Sequence, residues 1–274
     1  MSTSEFFLSA WDWKPSVLIG CAALIVMHAW AVRFRLSRKA APWLIGVLLI
    51  LLSLVSPLDE LADKYLFSVH MAKHIVFVLV APALLLIGLP AAPVERALRY
   101  RPLAVAERIL GTPAIAWLAG IGAMALWHVP VLFNAALAHD ALHIFEHLSL
   151  LICGTTFWWP ILAPLPERRL SPVPQGAAYL FTSCIACTSL GVLITFAPGL
   201  LYPAYAQPAD PFRVLPLIRE RWGISADMDQ QIGGLLMWVP GCLVYLTAIM
   251  AMFARWYGEE AKGTREPRAE PQWA

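Results

Sequence analysis

Two short strings hold the residues whose types and spacing could do chemistry. His70-Met71-Ala72-Lys73-His74 and His143-Ile144-Phe145-Glu146-His147 each place two imidazoles four residues apart, the spacing that puts side chains on one face of a helix. Glu146, three residues after His143, lies beside the same face. With His128 from a third segment, the set His70, His74, His128, His143, His147 and Glu146 could supply three to five nitrogen ligands and a carboxylate to one metal ion. Imidazole suits copper, zinc, iron and nickel alike, so ligand type does not choose among them. The bland alternative is that these histidines hydrogen-bond between helices as polar glue.

Three other chemistries fit parts of this pattern. Histidines on two helices at one depth could hold a haem, which would be b-type because the chain has no CxxCH string. Glu146 beside a histidine-bound metal could act as the base of a membrane enzyme. The HxxEH string at 143–147 also resembles the inverted zinc-protease motif, which would need a third ligand and a water-filled cleft. Lys73 stands between His70 and His74, where a cation would repel a metal ion unless it points away or pairs with an acid such as Glu146 or Asp63.

Stepping outward, the elements that carry these residues must cross a bilayer. Of 274 residues, 59% are hydrophobic and 14% charged, with a mean hydropathy of +0.66; soluble domains carry about a quarter charged residues. A net charge of +2 is too small to point to a nucleic-acid partner. Spanning a hydrocarbon core takes about 20 apolar residues in a helix, and seven segments qualify: 15–34, 41–57, 66–89, 113–133, 142–163, 175–197 and 232–256. Backbone groups in lipid must be satisfied internally, so these are helices, and the fold class is an all-α seven-helix transmembrane bundle. The first span has no basic leader or small-residue cleavage site and is expected to stay as a span.

Basic residues orient the bundle. Of 20 Lys and Arg, 14 fall after the first, third, fifth and seventh spans, so the positive-inside rule puts the N-terminus outside and the C-terminus in the cytoplasm. His70, His74, His128, His139, His143 and His147 then gather at the outer end. Of these, His139 reads as a solvated loop residue. His28, toward the inner end of the first span, reads as a structural hydrogen-bonder.

Asp59, Glu60 and Asp63, with Asp227, Asp229, Gln230 and Gln231, also fall at the outer end, as helix caps or as acids that recruit a cation and orient its imidazole ligands. The proline-rich segment 198–231, with Phe212, Arg213, Leu217, Arg219 and Trp222, suggests a piece lying in the interface plane. Trp127, Trp158, Trp159, Trp238 and Trp256 read as interfacial anchors. All five cysteines fall within spans, and Cys184 and Cys187 are spaced to offer two sulfurs to Cu(I), although buried packing is the plainer reading. A single domain over 1–257 followed by a charged, disordered tail at 258–274 completes the expectation.

Several strings together resemble the CtaG family of bacterial cytochrome c oxidase assembly proteins. They are Ser56-Pro57-Leu58-Asp59, the 70–74 string, Ala81 to Pro90, Trp127-His128-Val129-Pro130, the 143–147 string, Phe157-Trp158-Trp159-Pro160, Asp229 to Gly234, and Met237-Trp238-Val239-Pro240. The departure from that pattern is Lys73, where a neutral polar residue such as Gln is expected. The resemblance implies a non-enzymatic, multi-pass protein of the bacterial plasma membrane that matures a haem–copper oxidase by helping to insert copper. Its implied partners are membrane subunits of that oxidase, a periplasmic copper donor and the lipid bilayer. Zinc or haem remain open alternatives to copper.

Overall fold

A computed structural model of the chain describes residues 3–34 and 38–263. It is helical over 81% of its length, with no strand among the described residues. The long helices are α1 (Pro15–Ala31), α2 (Ala40–Val55), α3 (Phe67–Gly88), α4 (Pro113–Trp127), α5 (Asp140–Leu162), α6 (Ala177–Thr195) and α7 (Ala226–Gly263). Each overlaps a segment expected to span. By length and apolarity three of them could cross a membrane, α3, α6 and the Ala226–Gly258 part of α7, or up to five helices if each of two bent pairs is one span. Such helices mark a membrane protein. Helix α1 is apolar but 17 residues long, roughly 25 Å at 1.5 Å per residue.

Prolines set the breaks. Pro57 starts a new helical stretch, Pro57–Tyr65, bent 55° from α2. A proline cannot donate back into the preceding turn, and Ser56 caps the new start by accepting from Leu58 N. Pro113 opens α4 at 71° to the preceding amphipathic helix Arg101–Leu110. The span expected at 113–133 is in fact two helices, α4 and Pro130–Ala138, with His128 at the break; Pro130 again cannot continue the first.

Helix α3 widens into a π-turn at Val76–Val80. Pro82, four residues after Val78, has no N–H to close an α-type bond to the Val78 carbonyl. Gly154 of α5 packs there: a Cβ on it would lie 2.5 Å from Val78 O and 3.0 Å from Pro82 Cγ. Only glycine allows this approach, and it holds the α3 and α5 histidine faces together two turns further along.

The segment 198–231 differs from expectation. Val214, Leu217 and Ile218 do not form an exposed apolar face; they are buried against Phe6, Leu61, Tyr65 and Leu66 in a second small core. The segment folds back as a cap, anchored where Gln230 accepts from Leu201 N at 2.7 Å and donates to Gly199 O at 3.1 Å. Trp127 and Trp158 also depart from the anchor role, being buried in the main core; the Trp127 indole donates to Ser149 Oγ at 2.7 Å. Of the expected tail, 258–263 continues α7 and 264–274 lies outside the described residues.

Candidate metal centre

The first turn of α3 is held by an acid from another helix. Asp229 of α7, fully buried, accepts from Phe67 N at 2.7 Å, Ser68 N at 3.1 Å and Ser68 Oγ at 2.5 Å. Three donors satisfy its carboxylate and the free N–H groups of the α3 start. It therefore caps a helix other than its own and fixes the register of His70.

His70 and His74 point from α3 toward α5. Their Nε2 atoms are 3.0 Å apart. His74 Nε2 lies 3.2 Å, and His70 Nε2 4.0 Å, from Glu146 Oε1. His147 stacks on Phe77, with ring centres 5.0 Å apart. Ligand atoms of His70, His74, Glu146 and His147, all buried, lie within 4.8 Å of one another. A second group, Asp63, His70 and His143, meets the same limit and shares His70. His143 Nε2 is 3.6 Å from Asp63 Oδ1 and 4.0 Å from Glu146 Oε2. The second group sits nearer solvent, its His143 and Asp63 side chains being 16% and 22% exposed.

Five buried atoms at this centre have no hydrogen-bond partner: His74 Nδ1, His143 Nε2, Glu146 Oε1, Glu146 Oε2 and His147 Nε2. The 3.2 Å approach of His74 to Glu146 lacks the angle of a hydrogen bond. Buried polar atoms are almost always paired, and buried carboxylates are paired or coordinate metals. The donor set therefore fits a metal ion.

Tyr205, from the cap, touches the centre from outside. Its hydroxyl donates to Ala62 O at 2.8 Å, and its oxygen lies 3.2 Å from His70 Nδ1. With the hydroxyl hydrogen committed to Ala62, the oxygen accepts from Nδ1–H, leaving His70 Nε2 as the free ligand nitrogen. Burial, followed by the carboxylates of Asp63, Asp229 and Glu146, keeps the phenol well above its ordinary pKa and hence neutral.

Lys73 turns away from the imidazoles and pairs with acids. Its Nζ is 2.6 Å from Asp59 Oδ1 and 2.7 Å from Asp63 Oδ1, and Asp59 Oδ2 meets Lys14 Nζ at 2.7 Å. Burial works against the Lys14 charge, but the Asp59 hydrogen bond and the Asp59, Asp63 and Asp12 charges outweigh it and raise its pKa. Lys14, Asp59, Lys73 and Asp63 thus alternate in sign up to the edge of the centre.

The remaining candidates separate. His128 comes close, its ring 5.1 Å from that of His74, but belongs to neither ligand group; its nitrogens face Met124 O at 2.6 Å and Met71 Sδ at 3.0 Å. His139 is exposed. His28 stacks on Trp43 and bonds Gly88 O at 3.1 Å, a structural role. Cys184 faces Cys242 on α7 at 2.6 Å between sulfurs, while Cys187 meets Tyr245 OH. Sequence reasoning missed Met71 and Tyr205; nothing in their spacing separates them from ordinary core residues.

The chain is similar over most of its length to curated relatives. An uncharacterized protein of Mycobacterium leprae is 25% identical over 93% of this chain and 41% of its own length. Uncharacterized proteins of Mycobacterium bovis and Mycobacterium tuberculosis are each 24% identical over the same shares. The chain thus spans 41% of the length of these relatives. No solved structure matches it. The family model of the cytochrome c oxidase caa3 assembly factors matches residues 22–259. The chain therefore belongs to the cytochrome c oxidase caa3 assembly factor family, a family of assembly factors and not of catalytic enzymes.

Proposed function

We propose that this protein carries copper at the outer end of a seven-span bundle in the bacterial plasma membrane and helps place it in membrane subunits of a haem–copper oxidase. The observation that carries the reading is the cluster of five unpartnered buried atoms on His74, His143, Glu146 and His147. Family membership supplies the oxidase, a copper enzyme. The positive-inside asymmetry supports an N-terminus outside, a C-terminal tail in the cytoplasm and a centre facing the periplasm.

In this reading copper is cargo. His70, His74, Glu146 and His147 hold it, with His70 offering Nε2 because Tyr205 takes Nδ1. Asp63 and His143 form the outer approach, sharing His70 with the inner set. Lys73 neutralises Asp63 when no cation is near and competes with one that arrives. A periplasmic donor would deliver the ion past Asp59, Glu60 and Asp63. A haem fits less well, because the fully buried His70 ring is already packed 5.5 Å from that of His143 and 5.8 Å from that of His147, the α5 histidines that would have to stand on the haem's other face.

The test is elemental analysis with an optical spectrum on detergent-purified protein loaded with copper, wild type beside His74→Ala/Glu146→Gln. About one copper per chain in the wild type, lost in the double variant, is the expected result. Zinc or iron held in preference to copper, or a Soret band, would replace it.

A further inference from the structure

We propose that Met71 and His128 form a soft-metal subsite that makes the centre selective for monovalent copper. The inference rests on the copper reading above and adds to it an oxidation state and a specificity-determining residue.

The hydrogen positions on His128 follow from its partners. Nδ1 lies 2.6 Å from Met124 O. A carbonyl oxygen only accepts, so Nδ1 carries a hydrogen. On a neutral ring Nε2 then has only its lone pair, and that lone pair faces Met71 Sδ at 3.0 Å. A thioether sulfur has no hydrogen to give. Two electron-pair donors therefore face each other, with Met71 fully buried and His128 4% exposed. An imidazolium would supply the missing hydrogen, but among the described residues no carboxylate lies within ion-pair distance of His128, and Glu146, the acid whose charge reaches it, is already faced by His74 and His143. A cation held by both atoms satisfies them together.

The donor types decide which cation. Thioether with imidazole favours Cu(I), whereas imidazole with carboxylate suits divalent ions as well. The pair adjoins the four-ligand centre, His128 and His74 rings being 5.1 Å apart. Its geometry is held from the cap, where Tyr202 OH donates to His128 O at 2.9 Å. A cleft of about 450 Å³, lined by His128, Tyr202, Leu193 and Phe196 among others, borders the His128 side of the pair. Two donor sets of different hardness thus share one wall.

The test is competition for Cu(I) between the full chain in detergent and a chromophoric Cu(I) chelator under reductant, with Zn(II) titrated in parallel. Met71→Leu conserves volume and folds. It is expected to weaken Cu(I) binding about tenfold or more while leaving Zn(II) affinity within about twofold, and His128→Gln is expected to do the same to Cu(I). Wild-type Cu(I) affinity in Met71→Leu would overturn the subsite and leave the copper reading standing. A wild-type chain that takes no Cu(I) from the chelator, and no copper in the loading test above, would overturn both.

Discussion

Lys73 Nζ sits 2.7 Å from Asp63 Oδ1, the oxygen that also faces His143 Nε2 at 3.6 Å and His70 Nδ1 at 3.8 Å. One carboxylate oxygen therefore serves a fixed ammonium on one side and two imidazoles on the other. Removing the ammonium tests both sides. In Lys73→Gln, Asp59 and Asp63 lose a buried partner, and thermal or denaturant melts in detergent should register a loss of roughly 3 kcal/mol. Zn(II) titrated into the same variant should bind more tightly than in the wild type, because a competing cation has gone.

Glu146→Gln separates a ligand from a packing residue. The carboxylate is fully buried with both oxygens unpartnered, so its isostere, equally short of partners but without a buried charge, should leave the metal-free protein at least as stable as the wild type. The same variant should lose the upward melting shift that copper or zinc gives the wild type. A stable variant that still shows the full shift would remove Glu146 from the ligand set.

Tyr205→Phe deletes only the oxygen 3.2 Å from His70 Nδ1. Loss of a group that orients a metal-bound imidazole costs about 10–100-fold in affinity, and a fall of that size is expected in a chelator competition. Phenylalanine keeps the ring in the cap, so the metal-free melt should fall by only about 1–3 kcal/mol, the cost of leaving the Ala62 carbonyl and the His70 Nδ1–H without this partner.

Gly154→Ala tests the seam between α3 and α5. The added Cβ meets Val78 O at 2.5 Å and Pro82 Cγ at 3.0 Å, both on a helix that cannot give locally. Overpacking of this kind costs about 1–3 kcal/mol, and metal affinity should fall with it, since the helices carry opposite halves of the centre. Unchanged affinity in a destabilised variant would mean the two faces do not need this spacing.

Surface labelling checks the orientation. His139 is exposed in the turn before α5, so His139→Cys in intact cells should react with a membrane-impermeant maleimide. Arg168→Cys, at the other end of α5, should react only after lysis. The reverse pattern would turn the bundle over and place the centre at the cytoplasmic face.

The sequence by itself determined what local rules encode. The two HxxxH strings fall on helices because the apolar spans that hold them must satisfy their backbone internally, and the span expected from 113 opens at Pro113 because a proline is tolerated in the first turn of a helix and not in its interior. The apolar lengths of α3, α6 and α7 declare a membrane protein without any contact being known. Only the tertiary structure decided which faces meet. Helices such as α1, α4 and α6 are apolar nearly all round, so no stripe announces the buried side. That is why Lys73 could be weighed against Glu146 or Asp63 but not assigned. Asp229 likewise read equally as a helix cap or as an acid that recruits a cation, and proved to cap α3, a helix other than its own. The Met71 and Tyr205 contacts join residues 57 and 135 positions apart in the chain. No short-range pattern reaches that far, and the folded cap 198–231 brings the last of these partners into place.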